Sequence, residues 1–263
     1  MSEKKKKTRH ILGISGGKDS AALAVHLRDR IPDMEYVFCD TGKELKETYE
    51  FIDKLEAYLN AHVIRLPKEL PGFSESYDFD HFVELFNGYL PSPSNRWCTK
   101  NLKLGPFEHY IGDDTVKNYV GIRADEARVG YISTKPNVET IFPFIEDGID
   151  KDGVVRILED AGIGLPNYYS WRSRSGCYFC FYQTRGEWKS LKEKHPDLFE
   201  KAKSYEKNDF TWREGESLDE VISKEDGKKS VSKNTNSSPL LVDILSDDDK
   251  ETVYEKPCLI CHL

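Results

Sequence analysis

His10-Ile11-Leu12-Gly13-Ile14-Ser15-Gly16-Gly17-Lys18-Asp19-Ser20-Ala21-Ala22-Leu23-Ala24 is the stretch that decides the fold of this chain. The apolar run at 10–14 stops at Ser15-Gly16-Gly17, which reads as a strand entering a tight turn. Asp19 and Ser20 are helix-starting residues, and residues 21–27 form helix readily ahead of Pro32. Glycines between a strand and a helix let backbone N–H groups face one point, and the helix N-terminus adds positive potential there. Such a turn cradles a phosphate chain. Lys18 is then placed to neutralise a leaving pyrophosphate, and Asp19 to help hold Mg2+. This is not a Walker loop, which needs glycine five residues before Gly17 and Ser or Thr after the lysine; those positions hold Leu12 and Asp19. The competing reading is a Gly-rich turn that only caps a helix.

Outward from the loop, residues 34–38 read as a second strand. Thr48, Phe51, Ile52, Leu55, Tyr58 and Leu59 recur at helical spacing, and 62–66 reads as a third strand. Strands alternating with helices imply an α/β fold with a doubly wound parallel sheet. Residues 67–93, with Pro71, Pro91 and Pro93, read as irregular; a helix is expected over 100–111, a strand over 117–122 and a short helix over 150–162. Trp188, Leu191, Leu198, Phe199, Ala202 and Tyr205 indicate helical packing on either side of His195-Pro196. From Gly215 the composition turns to Ser, Lys, Asp, Asn and Glu, which reads as a mobile linker. The expected division is a basic tail (1–9), a nucleotide-binding domain (10–149), a helical cysteine-containing extension (150–214), the linker (215–255) and a terminal cysteine segment (256–263).

The 263 residues include 46 acidic and 38 basic ones, a net charge of −8, which argues against a protein that coats nucleic acid but leaves room for a local basic patch. No apolar run approaches the ~20 residues needed to cross a bilayer, and the lysine-rich start leads into glycines rather than a signal-peptide core. A cytoplasmic location without membrane contact is expected. Six cysteines in such a chain read as metal ligands or reactive thiols rather than disulfides. The lysines at 4–7 with Arg9 are either a phosphate-touching arm or a solvated tail.

On Ser15 to Ser20 the chain resembles the PP-loop ATP pyrophosphatase (adenine nucleotide alpha-hydrolase-like) superfamily. Its SGGxDS loop binds a triphosphate while a substrate group attacks the α-phosphorus, giving an adenylate and pyrophosphate. Asp40-Thr41-Gly42 resembles the DTG motif of the phosphoadenosine phosphosulfate reductase-like group within it. Arg96-Trp97-Cys98-Thr99 with Lys103 resembles that group's R-x-C-[ST]…K segment. Gly121-Ile122-Arg123-Ala124-Asp125-Glu126-Ala127-Arg128 resembles its G-x-R-x-x-[EQ]-[SA]-x-x-R element, with two residues fewer between the arginines. Gly176-Cys177-Tyr178-Phe179-Cys180, followed by Gln183 and Trp188, resembles its cysteine-pair segment.

The resemblance implies a Rossmann-like fold with ATP phosphates on Ser15, Gly16, Gly17, Lys18, Asp19 and Ser20, and adenosine near Cys39, Asp40, Thr41 and Gly42. It implies Arg123 and Arg128 as clamps on the acceptor; their alternative is a surface ion-pair network with Asp125 and Glu126. Sulfonucleotide reductases of the group typically lack the loop lysine. Lys18 therefore aligns this chain with the ATP-splitting branch, which includes the PP-loop component of DNA phosphorothioation systems. The implied activity is ATP-dependent sulfur transfer, with a sulfur donor such as a cysteine desulfurase and DNA or RNA as acceptor. The rivals are a sulfonucleotide reductase and a nucleotide-binding subunit of a defence complex without turnover.

Cys177-x-x-Cys180 and Cys258-x-x-Cys261 are two metal-style pairs, with Cys98 a fifth candidate ligand. The resemblance implies a four-iron four-sulfur (4Fe-4S) cluster, with zinc as the alternative. Cys258-Leu259-Ile260-Cys261-His262 also spells a c-type haem attachment pattern, set aside because that attachment happens outside the cytosol; a swinging C-terminal thiol is the better alternative. Cys39, ahead of Asp40-Thr41-Gly42, is either a reactive thiol near the nucleotide, such as a persulfide carrier, or a buried cysteine that ends a strand. The aromatic residues Phe73, Tyr77, Phe79, Phe82, Phe86 and Tyr89 are either core of an irregular segment or a stacking platform for a base. The sequence leaves the oligomeric state open.

Overall fold

Ile11 and Leu12 are neighbours on the first strand, both fully buried, yet they pack into different apolar layers. Successive strand residues point to opposite faces, so this split means that the sheet is covered on both sides, as parallel sheets require. The computed structural model describes residues 7–73, 77–127, 133, 135–207 and 209–224. Its strands are β1 (Arg9–Gly13), β2 (Met34–Cys39), β3 (Val63–Leu66), β4 (Val116–Tyr119) and β5 (Val138–Ile141). All pair in parallel in the order β3-β2-β1-β4-β5.

The helices are α1 (Lys18–Leu27), α2 (Lys46–Leu59), α3 (Phe79–Leu85), α4 (Trp97–Thr99), α5 (Gly105–Ile111), α6 (Pro143–Glu146), α7 (Lys151–Asp160), α8 (Arg185–Lys194), α9 (Pro196–Ser204) and α10 (Leu218–Ser223). One face of the sheet is covered by α1, α2 and α7 through Leu23, Ile52, Leu55, Val154 and Leu158. Phe107 and Ile111 of α5 cover the other face. A second core gathers Trp188, Phe199, Trp212 and Leu218 around Phe79, Trp97 and Phe179, binding the C-terminal helices to α3. Thr184 and Glu187 close a capping box on α8, and Ser217 and Glu220 another on α10.

The strand order positions the site. The chain runs from β1 outward to β3 and then returns to β4 on the other side of β1. The crevice beyond the carboxyl ends of β1 and β4 is therefore the topological switch point, where doubly wound sheets bind ligands.

The expected parallel α/β fold is the observed one. Four local readings differ. β5 was not anticipated because Val-Glu-Thr-Ile is short and only half-buried. The segment read as irregular contains α3, whose N-cap Asp78 accepts the His81 N–H. The expected helix over 100–111 breaks into a π-helical turn, Lys100–Leu104, ahead of α5. Pro106 lacks an N–H and its ring clashes with the carbonyl four residues back, so the preceding turn widens and Gly105 donates to the Lys100 carbonyl. The stretch read as a linker opens with α10, which buries Leu218 and Val221; the rest of it, from 225, lies outside the described residues. Among the described residues no helix is long and apolar enough to cross a membrane.

Candidate nucleotide site

The loop after β1 takes its shape from contacts that leave no room for side chains. Gly16 has φ of +72°, and a Cβ there would lie 2.4 Å from Thr48 Cγ2 of α2. A Cβ on Gly17 would lie 2.8 Å from Ser175 Oγ. Ser20 Oγ donates to the Gly17 carbonyl at 3.3 Å and accepts from the Ser15 N–H at 3.1 Å, tying the loop to the first turn of α1. Two N–H groups that would face a phosphate make only long bonds to hydroxyls, Gly17 to Ser15 Oγ (3.3 Å) and Lys18 to Tyr169 (3.4 Å). Phosphate oxygens can replace such acceptors at the head of a helix.

Asp19 joins the two halves of the crevice. Lys18 Nζ donates to its Oδ2 at 3.0 Å, and Arg123 Nη1 to its Oδ1 at 2.9 Å. Arg123 reaches it because the chain after β4 passes close by: a Cβ on Gly121 would lie 3.0 Å from the Asp19 carbonyl oxygen. Burial pushes the Asp19 carboxyl up, but the charges of Lys18 and Arg123 outweigh it and hold the group below its ordinary value. Arg123 also pairs with Asp125 (3.0 Å) and Glu126 (2.8 Å), the partners of the ion-pair reading. Arg128 lies outside the described residues.

Asp40-Thr41-Gly42 forms a turn closed by its own side chains. Asp40 accepts from the Gly42 N–H (2.8 Å), the Tyr49 hydroxyl (2.7 Å) and Lys68 Nζ (2.6 Å), while Thr41 donates to Glu44 Oε1 at 2.8 Å. Both carboxylates are buried. Burial raises Asp40, but the hydrogen bonds from Lys68, Tyr49 and Gly42 hold it below its ordinary value. Glu44 is raised by burial and by the Asp40 charge, so of the pair it is Glu44 that keeps its proton to the higher pH. The unfolded chain loses that proton near 4.5 and the folded one only at higher pH. The stabilisation is thus complete below 4.5 and is lost as pH rises through the folded value. Glu44→Gln, which has no proton to lose, is expected to unfold at a temperature that stays level over this range while the wild type declines. Parallel declines in thermal melts would contradict the protonated Glu44.

The cysteines divide. Cys39 is buried among Ile11, Val37 and Leu66; its thiol donates to the Lys103 carbonyl at 3.6 Å, and burial pushes it up to about 12. That is the placement of the buried-cysteine reading. Cys177 Sγ lies 3.2 Å from Thr41 Oγ1 and 3.9 Å from Glu44 Oε1, and burial followed by the Glu44 charge raises its thiol. The Cys180 N–H donates to the Cys177 carbonyl at 3.1 Å, closing a turn. Cys98 sits half-buried on α4. Among the described residues no three metal-ligating side chains converge, so Cys98, Cys177 and Cys180 do not by themselves complete a ligand set. Cys258 and Cys261 lie outside the described residues.

The model of the phosphoadenosine phosphosulfate reductase domain family matches residues 9–141, about half of the chain. The chain belongs to that family. Its matched part holds all five strands, the glycine loop and Arg123. Two uncharacterized proteins of Methanocaldococcus jannaschii are similar to it. One is 29% identical over 206 residues, covering 73% of this chain and 40% of the relative. The other is 27% identical over 206 residues, covering 71% and 45%. An uncharacterized nin region protein of Escherichia phage lambda is 26% identical over 155 residues, covering 49% and 52%. This chain thus spans about half, or less, of the length of the relatives it matches. Among solved structures, the phosphoadenylyl-sulfate (PAPS) reductase of Candida auris, in a phosphate complex, superposes with a TM-score of 0.50 at 14% identity. The superposition covers 65% of this chain and 82% of that one and is a likeness of fold.

Several residues of this family member's site carried no signal in the sequence. The Tyr168 hydroxyl donates to the Gly16 carbonyl at 2.6 Å, and Lys18 Nζ stands 5.3 Å over the Tyr169 ring. Arg172, buried, donates to the carbonyls of Gly176 (3.1 Å) and Cys177 (2.7 Å), holding the segment that brings Ser175 Oγ within 3.4 Å of Ser15 Oγ. Nothing in the spacing of two adjacent tyrosines links them to a loop some 150 residues earlier.

Proposed function

We propose that this member of the phosphoadenosine phosphosulfate reductase domain family cleaves ATP between its α and β phosphates in a sulfur-transfer reaction. The observation that carries the reading is the ionised Asp19 held by Lys18 and Arg123 at the mouth of a side-chain-free glycine loop. An acceptor atom forms a bond to the α-phosphorus, the bond from that phosphorus to the bridging oxygen breaks, and the electron pair leaves with pyrophosphate. Charge grows on that leaving group, and Lys18 at the loop is the cation suited to meet it. Arg123 orients the acceptor. A single carboxylate completed by substrate phosphates suits Mg2+, so Asp19 fits that ion; when bound, it supplies further neutralisation of the phosphates. DNA or RNA as acceptor, and a cysteine desulfurase-type donor, belong to the same proposal.

A second reading, sulfonucleotide reduction, is favoured by the family match itself. Calorimetric titration with Mg2+-ATP and with phosphoadenylyl sulfate separates the two. The ATP reading predicts saturable ATP binding that weakens about tenfold or more in Lys18→Ala, since a charge-assisted phosphate contact is lost. Binding of phosphoadenylyl sulfate alone, indifferent to Lys18→Ala, would establish the reductase reading instead.

A further inference from the structure

Away from the glycine loop, the turn after α3 and the π-helical segment line an open pocket of about 410 Å³. Phe86, Tyr89, Asn95, Arg96, Trp97 and Lys100 line it. Its size falls in the range of about 300–1,000 Å³ common for ligand pockets. The aromatic segment thus does two different things. Phe79 and Phe82 are buried core, whereas Phe86 is 36% exposed and Leu85 beside it 62%. Phe86 and Trp97 approach at 5.2 Å between ring centroids, and the Trp97 indole is fixed by its N–H donating to the Tyr89 carbonyl at 3.2 Å. The wall is cationic: Arg96 and Lys100 line it and no carboxylate does. In a chain of net charge −8 that local balance selects an anion. Arg96 Nη1 is buried without a hydrogen-bond partner among the described residues.

We propose that this pocket binds an unpaired nucleobase and its phosphate from single-stranded nucleic acid. The base stacks on Phe86, the phosphate meets Arg96 and Lys100, and the Asn95 amide offers both a donor and an acceptor to the base edge. A duplex hides the faces of its bases, so a stacking pocket takes a strand whose bases are free. A strand, rather than a lone nucleotide, is the proposed occupant: the exposed Leu85, next to Phe86 in sequence, is where a second base would rest. The pocket is also linked to the candidate centre. The segment that supplies Trp97 and Lys100 continues to Lys103, whose carbonyl accepts from Cys39 at the end of β2. The identity of the strand as sulfur acceptor rests on the ATP-dependent reading above; its binding here does not.

The test is fluorescence anisotropy with the full chain and three probes: labelled oligo-dT, labelled oligo-U of equal length, and a labelled DNA hairpin. The expected result is binding of a single strand in preference to the hairpin, with the two single-stranded arms telling DNA from RNA. Phe86→Ala is expected to weaken it about tenfold, the loss of one stacked base. Lys100→Gln is expected to reduce the slope of log affinity against log salt by about 0.7, as loss of one phosphate contact should; a packing change would not alter that slope. ATP titrations should be unchanged in both variants. Equal binding of the hairpin, unaltered affinity in Phe86→Ala, or competition by thymidine monophosphate as effective as by the strand would overturn the proposal. Loss of ATP binding with strand binding intact would instead sink the ATP reading and leave this pocket standing.

Discussion

Asp19→Asn is expected to lower pyrophosphate formation from ATP by about a hundredfold or more, the scale seen when one preorganised electrostatic group is removed from an active site. The physical reason is specific. Asp19 is the one anionic group held by both Lys18 and Arg123, and removing its charge frees two cations next to the phosphate loop. Nucleotide affinity without Mg2+ should therefore rise, because repulsion between the carboxylate and the triphosphate is gone, while the Mg2+-dependent rate falls. A scaffold residue would lower both. The same carboxylate contributes stability above its ordinary value, 3.8, and that contribution disappears as pH falls through the depressed folded value. Acid unfolding of Asp19→Asn should accordingly be shallower than that of the wild type. Initial rates, metal-free titrations and acid melts on one protein preparation check all three; an unchanged rate with weaker nucleotide binding would contradict the metal-holding role.

Gly16→Ala should cost stability and nucleotide binding together. A backbone φ of +72° strains any residue with a Cβ, at about 1–3 kcal/mol. The added atom also sits 2.4 Å from Thr48 Cγ2, and overpacking adds about 1–3 kcal/mol. The two contributions can be separated. Thr48→Ala removes the clashing methyl, so the double variant should recover the packing part in urea unfolding while the loop stays strained and ATP affinity stays low. Full recovery of ATP affinity in the double variant would show that the left-handed conformation at Gly16 is not what shapes the cradle.

The glycine loop was legible because Ser15-Gly16-Gly17 interrupts an apolar strand directly ahead of a helix, and both neighbours formed as read. Arg123 was legible as a candidate for the site but its partner was not. Asp19 lies 104 residues away, and only the sheet order that sets β4 beside β1 brings them together. Cys39 was open between two readings, because with both sheet faces covered alternation alone does not decide; it shares the face of Val37, which packs in the same buried layer as Ile11. Glu44 gave no sign, since a glutamate two residues after a turn glycine ordinarily lies in solvent; burial beside Asp40 is a tertiary fact. Phe79, Phe82 and Phe86 looked alike in sequence. The first two lie within α3 and face the core, and Phe86 follows its end, where the ring is left at the surface.

Product analysis with ATP labelled at the α-phosphorus tests the central claim most directly. Incubated with the full chain and Mg2+, turned-over ATP should appear as AMP or an adenylated acceptor together with an equal amount of pyrophosphate, and Asp19→Asn should lower both about a hundredfold or more. Cleavage to ADP and phosphate, or an intact chain that neither binds nor alters ATP, would contradict it.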